Sequence, residues 1–324
     1  MSVQESACRY RPLVSEHHLE TLLLFRNTRG KGQTIVWLVF AVGSAIFVGL
    51  KNVWTRSFAT SIEPRTMVFS TFFLTAVLGT AYVAVSGIPV IEQRFFWAII
   101  AASLIDVVAI TLLTRAIFMS DLSDAYPLVA LTPVFTLLTS FILLGETPSL
   151  LGLSGVLVIV VGAYLLRVEA VQESIFKPFK LLFKDAGARY MMLTALMFSL
   201  MGPLFKTGMQ ASSPAFALTV SQWLTTLWLA LIYLARGTLG NTIRELRVHF
   251  GQLAGLSVTN FMQAILTFFA FQFAFVAYVS SVKRLGILFT VLFGYIAFKE
   301  RGALRGALAG TVMLVGLIMV SLGN

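Results

Sequence analysis

The chain has 324 residues, of which 58% are hydrophobic and 12% are charged, whereas soluble domains are about half apolar and a quarter charged. This composition excludes an ordinary soluble domain and predicts solvation mainly by lipid, and the net charge of +10 comes without the basic helix or aromatic pattern of a nucleic-acid-binding protein. The single cysteine, Cys8, and three histidines cannot build a disulfide framework or a cysteine/histidine metal cluster, so we expect no metal and no other cofactor.

Residues 1–32 are polar and predict an N-terminal tail. Their one apolar run, TLLLF, is much shorter than the roughly 20 residues that cross a bilayer, and it is too short for the core of a secretory signal. The tail either belongs to the native protein or extends upstream of its true start, and both readings stay open.

Ten mainly apolar runs follow the tail, each close to the roughly 20 residues that a membrane-crossing helix needs. A β-barrel would instead show short alternating strands, and a soluble helical bundle would keep polar faces that these runs lack. We therefore predict an all-α integral membrane protein with ten transmembrane helices. The runs lie near 34–52, 67–86, 95–117, 125–144, 149–166, 189–207, 214–235, 250–275, 278–298 and 303–322.

The longest connection in the core divides the ten runs into two groups of five. Within it, residues 173–184 (ESIFKPFKLLFK) alternate lysines with apolar residues at about helical spacing, which is typical of a helix in the membrane interface. We predict four segments along the chain. They are a tail at 1–32, a first five-helix repeat at 33–167, a basic amphipathic connection at 168–188 and a second five-helix repeat at 189–324.

The two groups of five resemble each other at a nearly fixed offset, which predicts an internal duplication. Because each group has an odd number of spans, the two repeats must run oppositely through the bilayer, as in carriers whose site lies at the repeat interface near the midplane. An offset of 154 residues aligns Glu146 with Glu300, Gly152 with Gly306, Gly162 with Gly316 and Asp106 with Asn260, and an offset of 155 aligns Ser44 with Ser199 and Lys51 with Lys206. The two glutamates are expected to cap helices or form ion pairs at helix ends.

Each repeat ends with a glutamate turn followed by a glycine-bearing span. The first has LLGE (143–146) and the second has FKE (298–300), within SSVKRLGILFTVLFGYIAFKE at 280–300. With five plus five spans, this pattern resembles the EamA type of the drug/metabolite transporter superfamily over about residues 34–322. The resemblance implies a ten-helix carrier in a bacterial inner (plasma) membrane and specifies the fold far better than the substrate. Lys299 stands where the first repeat has Gly145, which departs from strict equivalence of the two turns.

Asp106 is the first candidate for a functional residue, because ionisable groups inside spans are costly and usually functional. It lies about eleven residues into its run, roughly 16 Å at 1.5 Å per residue and hence near the middle of a core about 30 Å thick. A buried acid here can exchange protons, so proton coupling is one hypothesis. Hydrogen bonding to a neighbouring helix is the other.

Asn260, Gln263 and Thr267 follow i, i+3, i+7 spacing and share one helical face, with Ser257 at its edge. Asn260 lies at a depth similar to that of Asp106 in the repeat-related helix. We expect this polar stripe to line a cavity. The alternative is that it only joins neighbouring helices.

Lys283 and Arg284 lie about six residues into their run, and adjacent helix positions point about 100° apart. Lys283 shares its face with Gly286, Thr290 and Gly294, so it is the better candidate for binding an anionic substrate group. Extension of either side chain to the membrane surface is the alternative.

These residues favour a secondary transporter that moves small polar metabolites by alternating access, with amino-acid or metabolite export implied by the resemblance. The expected partners are a small-molecule substrate, membrane lipids and a second copy of the chain in a homodimer. Antiport of phosphorylated sugars or nucleotide sugars, favoured by Lys283 and Arg284, and flipping of a lipid-linked sugar are the alternatives. An intramembrane enzyme using Asp106 lacks a partner nucleophile, a second aspartate or metal ligands, so no enzymatic activity is expected.

The orientation in the membrane stays open at this point. The family resemblance implies that both termini are cytoplasmic. The positive-inside rule instead places the basic connection at 167–189 in the cytoplasm, which would put the termini on the other side.

Overall fold

A computed structural model describes residues 31–58, 60–119, 126–167, 182–298 and 303–323. Within these ranges the regular elements are helices. They are α1 (Lys31–Phe58), α2 (Pro64–Ser86), α3 (Arg94–Met119), a 3-10 helix (Tyr126–Leu131), α4 (Thr132–Leu144), α5 (Leu150–Arg167), α6 (Ala186–Gln210), α7 (Pro214–Ala235), α8 (Leu239–Val248), α9 (Phe250–Phe273), α10 (Val276–Val282), α11 (Leu285–Phe298) and α12 (Ala303–Leu322).

Seven helical segments of the described chain are long and apolar enough to cross a membrane. They are Ile35–Phe58, Pro64–Ser86, Arg94–Ala116, Ala186–Gln210, Pro214–Ala235, Phe250–Phe273 and Val276–Ala297, and shorter apolar helices lie at Leu128–Leu144, Leu150–Leu165 and Ala309–Leu322. The prediction of an all-helical protein with apolar spans is therefore confirmed. The count of ten transmembrane helices and the inverted repeat remain predictions.

Local chemistry sets several helix ends. The Asp185 carboxylate accepts a hydrogen bond from the Ala188 N–H at 2.8 Å and caps the start of α6. Proline stands at the first position of α2 and of α7, where its missing N–H leaves no bond unmade. Gly145 adopts a left-handed conformation with φ +67° and ends α4. That turn places Glu146 directly after the helix.

The predicted run at 278–298 is one span in length but not one regular helix. Lys283 and Arg284 form a turn between α10 and α11. In this turn the Arg284 N–H bonds the Ser281 carbonyl at 2.9 Å, and the Gly286 N–H bonds the Lys283 carbonyl at 3.0 Å. These i to i−3 bonds tighten the backbone relative to an α-helix. The assumption of regular helical positions for the two cations is therefore wrong.

Each long helix packs against particular neighbours. α1 contacts α9 and α11, whereas α6 contacts α3 and α4; α2 contacts α7, and α5 contacts α12. Glycines allow close approach of α5 and α12, because a Cβ atom on Gly316 would lie 2.8 Å from the Gly155 carbonyl oxygen. The main apolar cluster includes Trp37, Tyr278 and Met313, all fully buried.

Candidate functional site

Lys51 is at the centre of a buried polar cluster. Its ammonium donates to the Asn260 Oδ1 atom and to the Gln263 Oε1 atom, each at 3.1 Å. The i, i+3 spacing places both amides on one face of α9, and the packing of α1 against α9 brings Lys51 to that face. Among the residues that the structure describes, the ammonium is thus held by neutral amide oxygens and forms no ion pair.

A second helix contact fixes the orientation of Asn260. Its Nδ2 atom donates to the Thr75 hydroxyl oxygen at 3.1 Å, and the Thr75 hydroxyl donates to the Ser257 carbonyl at 3.4 Å. Because the amide nitrogen is used toward α2, the amide oxygen faces Lys51. The acceptor for the lysine is therefore held in place before any ligand arrives.

Asp106 approaches the same cluster from another side. It lies midway along α3, and only 6% of its surface is exposed. Thr225 of α7 lies beside its carboxylate, and Lys51 is close enough to interact with it electrostatically. An acid and a cation from different helices therefore lie within electrostatic range of each other.

Lys283 brings a second ammonium to this region from the α10–α11 turn. It is half-buried and interacts electrostatically with Lys51 and Arg284, two groups of like charge. Within the part of the chain that the structure describes, no hydrogen bond or ion pair to its ammonium is found. An anionic group of a ligand would relieve this repulsion.

The predicted polar stripe divides into two kinds of residue. Asn260 and Gln263 bind Lys51, whereas Ser257 and Thr267 are buried in helix contacts. Ser257 donates to the Leu253 carbonyl at 2.7 Å, and the Thr267 hydroxyl donates to the Gln263 carbonyl at 2.8 Å. Lys51 is thus the common neighbour of the predicted residues, because Asn260 and Gln263 bond its ammonium while Asp106 and Lys283 each interact with it electrostatically. Arg284 follows Lys283 in the chain.

The ionisable residues predicted above do not include Lys51. The predicted first run stops at residue 52, which would place Lys51 at the end of its span. α1 instead continues to Phe58, so Lys51 lies about two helical turns inside the helix. Its match with Lys206 at the 155-residue offset was the signal that could have identified it.

Lys206 and Glu146 form a separate charged centre. The Lys206 ammonium lies 2.7 Å from the Glu146 Oε1 atom and donates to the Ala274 carbonyl, also at 2.7 Å. The other Glu146 oxygen accepts from the Val276 N–H at 2.9 Å, at the start of α10. The expectation that Glu146 caps a helix or forms an ion pair is confirmed, since it does both. Glu300 lies outside the described residues.

Two neighbouring residues of α7 face different surroundings. Trp223 is 40% exposed, donates to the Thr80 hydroxyl at 2.9 Å and meets the Phe73 ring edge-on. Gln222 is buried, with 7% of its surface exposed. Trp223 therefore lies at the outer surface of the helices, while Gln222 lies among them.

No group of three or more His, Cys, Asp and Glu side chains in the described ranges is arranged to hold a metal ion. The chemistry available at the site is that of ammonium, carboxylate, amide and hydroxyl groups. The expectation that no metal or cofactor is needed stays a prediction.

Comparison with known proteins gives a family for the first part of the chain. Residues 35–168 match the EamA-like transporter family. One solved structure, described as "Crystal structure of protein", aligns with a TM-score of 0.67 over 88% of this chain and 97% of its own, at 14% identity. At that identity the likeness shows the fold alone. No curated protein matches the sequence.

Proposed function

We propose that the chain, whose residues 35–168 match the EamA-like transporter family, is a secondary carrier of small polar metabolites of the drug/metabolite transporter type. Amino acids and related compounds are the favoured substrates, export is the favoured direction, and the bacterial inner membrane is the favoured location. Alternating access of the polar cluster to the two sides of the membrane is the proposed mechanism.

The observation that carries this proposal is that Asp106 and Lys283 each lie within electrostatic range of Lys51 inside apolar spans. Charged side chains are expensive in a bilayer and persist there mainly at ion or substrate pathways. Packing alone would not require the Lys283 ammonium, which has no partner among the described residues, to lie beside two other cations. A polar substrate with an acidic group would bind there, while Asp106 would bind a donor or a proton.

The packing of the helices supports ten spans in two inverted halves. If α1 is related to α6, α3 to α9 and α4 to α11, then the contacts of α1 with α9 and α11 correspond to those of α6 with α3 and α4. Helix α2 would be the repeat equivalent of α7, and α5 that of α12. The two members of each of these pairs are also in contact with each other. An arrangement of this kind allows two equivalent states related by exchange of the halves.

The mechanism requires the halves to move about the site. The break between α9 and α10 and the turn between α10 and α11 are positions where backbone angles can change without disrupting a long helix. We propose that these segments permit rocking of one half against the other. Asp106 would take up and release a proton as its exposure alternates, which makes proton coupling part of the proposal.

Flux measurements in sealed proteoliposomes test the proposal. A panel of labelled amino acids, organic acids and organic phosphates would be offered to the wild-type protein and to Lys283→Met and Asp106→Asn. Each variant should lower flux of the transported compound by about tenfold or more, equivalent to about 1.4 kcal/mol. Lys184→Met is the matched control, because Lys184 is an exposed lysine that is not part of the polar cluster. Undiminished flux in both site variants would refute the site assignment.

Antiport of phosphorylated compounds is the second candidate. It is favoured by the electrostatic proximity of three cations, Lys51, Lys283 and Arg284. Vesicles loaded with inorganic phosphate distinguish it from the first candidate, because external hexose phosphate or nucleotide sugar would then exchange for internal phosphate. A carrier of amino acids would show no such exchange.

A further inference from the structure

The amide oxygen of Gln222 is buried and has no hydrogen-bond partner within the described chain. The residue lies on α7 with 7% of its surface exposed, so bulk solvent does not supply the missing bond. Buried polar atoms in folded proteins are nearly always bonded, and an exception calls for an explanation. A ligand or an internal water that donates a hydrogen bond would provide one.

Gln222 lies about one helical turn before the residue of α7 that neighbours the carboxylate of the proposed site. It precedes Thr225 by three residues and therefore shares a face of α7 with it. Thr225 is the residue of α7 that lies beside the Asp106 carboxylate of α3. The unbonded amide oxygen and the carboxylate thus belong to one side of the polar cluster, which we call the acceptor side.

The cationic groups of the cluster come from other helices. Lys51 comes from α1, and Lys283 comes from the α10–α11 turn, where its ammonium has no described partner. The two groups of residues give the cluster a cationic side and an acceptor side. A ligand that satisfies both must carry an anionic group and a hydrogen-bond donor.

We propose that Gln222 and Asp106 form a subsite for the ammonium group of a zwitterionic substrate whose acidic group meets Lys283. An ammonium offers three N–H donors, which can be shared between the carboxylate and the amide oxygen. This inference rests on the proposed carrier function and deepens it, because it assigns Gln222 a role in substrate selection.

The same geometry disfavours ligands that carry only acceptors. Phosphate oxygens near the acceptor side would face the Gln222 amide oxygen and the Asp106 carboxylate, and like polarity is repulsive. A site that pairs with a donor group rejects analogues lacking that group, because its buried acceptors are then left unpaired. Gln222 should therefore control the preference for amines over the matching amine-free acids.

The test compares labelled neutral L-amino acids with their des-amino carboxylic acids in proteoliposomes. Gln222→Leu should lower amino-acid flux and reduce the amine preference by about fivefold or more, with little change for des-amino acids. Gln222→Glu should retain the preference, because it keeps an acceptor. Gln272→Leu is the matched control, since Gln272 lies in α9 with an exposed side chain.

The outcomes separate the subsite from the carrier function. Equal loss for both classes of compound in Gln222→Leu indicates packing or a bridging water and overturns the subsite, as does an unchanged preference. Flux of organic anions without flux of amines would support the proposed carrier function but overturn the subsite. If no compound is transported, thermal stabilisation by amino acids of the wild type but not of Gln222→Leu supports the subsite alone. The absence of both flux and stabilisation overturns both proposals.

Discussion

The Lys206 ammonium and the Glu146 carboxylate lie 2.7 Å apart and connect residues from the two predicted repeats. The lysine also donates to the Ala274 carbonyl after α9, and the glutamate accepts from the Val276 N–H at the start of α10. A cation at a helix C-terminus and an anion at a helix N-terminus are both favourable partners of the helix dipole. One ion pair therefore holds both sides of the α9–α10 break.

Removing one partner of this pair should destabilise the protein strongly. The side chains are 11% and 6% exposed, so Lys206→Met or Glu146→Gln leaves a buried group without its partner, at a cost of about 3–5 kcal/mol. Chemical or thermal unfolding in mild detergent measures the loss. The double variant should lose clearly less than the sum of the two single variants.

An exposed ion pair provides the control for this comparison of single and double variants. Arg94 and Glu92 are 2.7 Å apart but are about half exposed, so Arg94→Met should change stability by no more than about 1 kcal/mol. Additive losses at Lys206 and Glu146 would show that the pair is not coupled.

Lys51 should be required for transport rather than for assembly of the helices. Lys51→Met removes the donor to Asn260 and Gln263, and we expect flux to fall by about tenfold or more, equivalent to about 1.4 kcal/mol. Asn260→Asp keeps the side-chain shape but puts a carboxylate beside the ammonium, so it should weaken binding of anionic substrates. Concentration dependence of flux in proteoliposomes would report this as a raised half-saturation constant.

The control for these variants is Lys184→Met, which changes an exposed lysine. Normal flux in Asn260→Asp would show that the charge balance at Lys51 does not govern binding. Monodisperse elution of each variant from a sizing column in detergent would separate a transport defect from misfolding.

The sequence predicts spans well because hydrophobicity is a local property, and it predicts the shared face of Asn260 and Gln263 because their spacing is helical. The end of α1 is harder to predict, since polar residues after position 51 end the apolar run while the helix continues to Phe58. A helix satisfies its backbone hydrogen bonds internally, so it can continue into the membrane interface without apolar residues.

Contacts between distant residues could not be predicted in the same way. Lys206 and Glu146 are separated by 60 positions, and their bond to the α9–α10 break depends on how four helices meet. The same holds for Thr225 and Asp106, which lie on different helices. The repeat offset related Lys51 to Lys206, but it did not indicate that one binds amides and the other a carboxylate.

Glu245 of α8 should stabilise the start of α2. Its carboxylate accepts from the Glu63 N–H at 2.8 Å and from the Thr66 hydroxyl, and these groups lie where a helix has no internal acceptors. Glu63 itself provides no side-chain cap. Glu245→Ala should therefore cost about 1–2 kcal/mol.

Hydrogen exchange gives the sharper measurement of this cap. Amides near residues 63–67 should exchange faster in Glu245→Ala, because the first turn of α2 opens more often. Asn241→Ala is the control on the exposed side of α8. Equal exchange in the two variants would show that the carboxylate does not hold α2.

Basic side chains gather where α1, α3 and α7 end and α6 begins. Glu245 ties the α1–α2 turn to α8, and apolar contacts join the end of α3 to the start of α6. The described cations in these segments are Arg56, Arg65, Arg115, Lys184, Arg189, Arg236, Arg244 and Arg247. Near the connection from α2 to α3, Arg94 is instead paired with Glu92.

The positive-inside rule therefore predicts that the end of the helices carrying α8 faces the cytoplasm, with the chain termini on the opposite side. Single cysteines in a Cys8→Ser background test this orientation, because Gln93 and Asn241 are exposed in connections at opposite ends. A membrane-impermeant maleimide should label Gln93→Cys on intact cells and Asn241→Cys only after permeabilisation. The reverse pattern would place both termini in the cytoplasm, as the family resemblance implies, and would mean that the charges of the N-terminal tail outweigh those around α8.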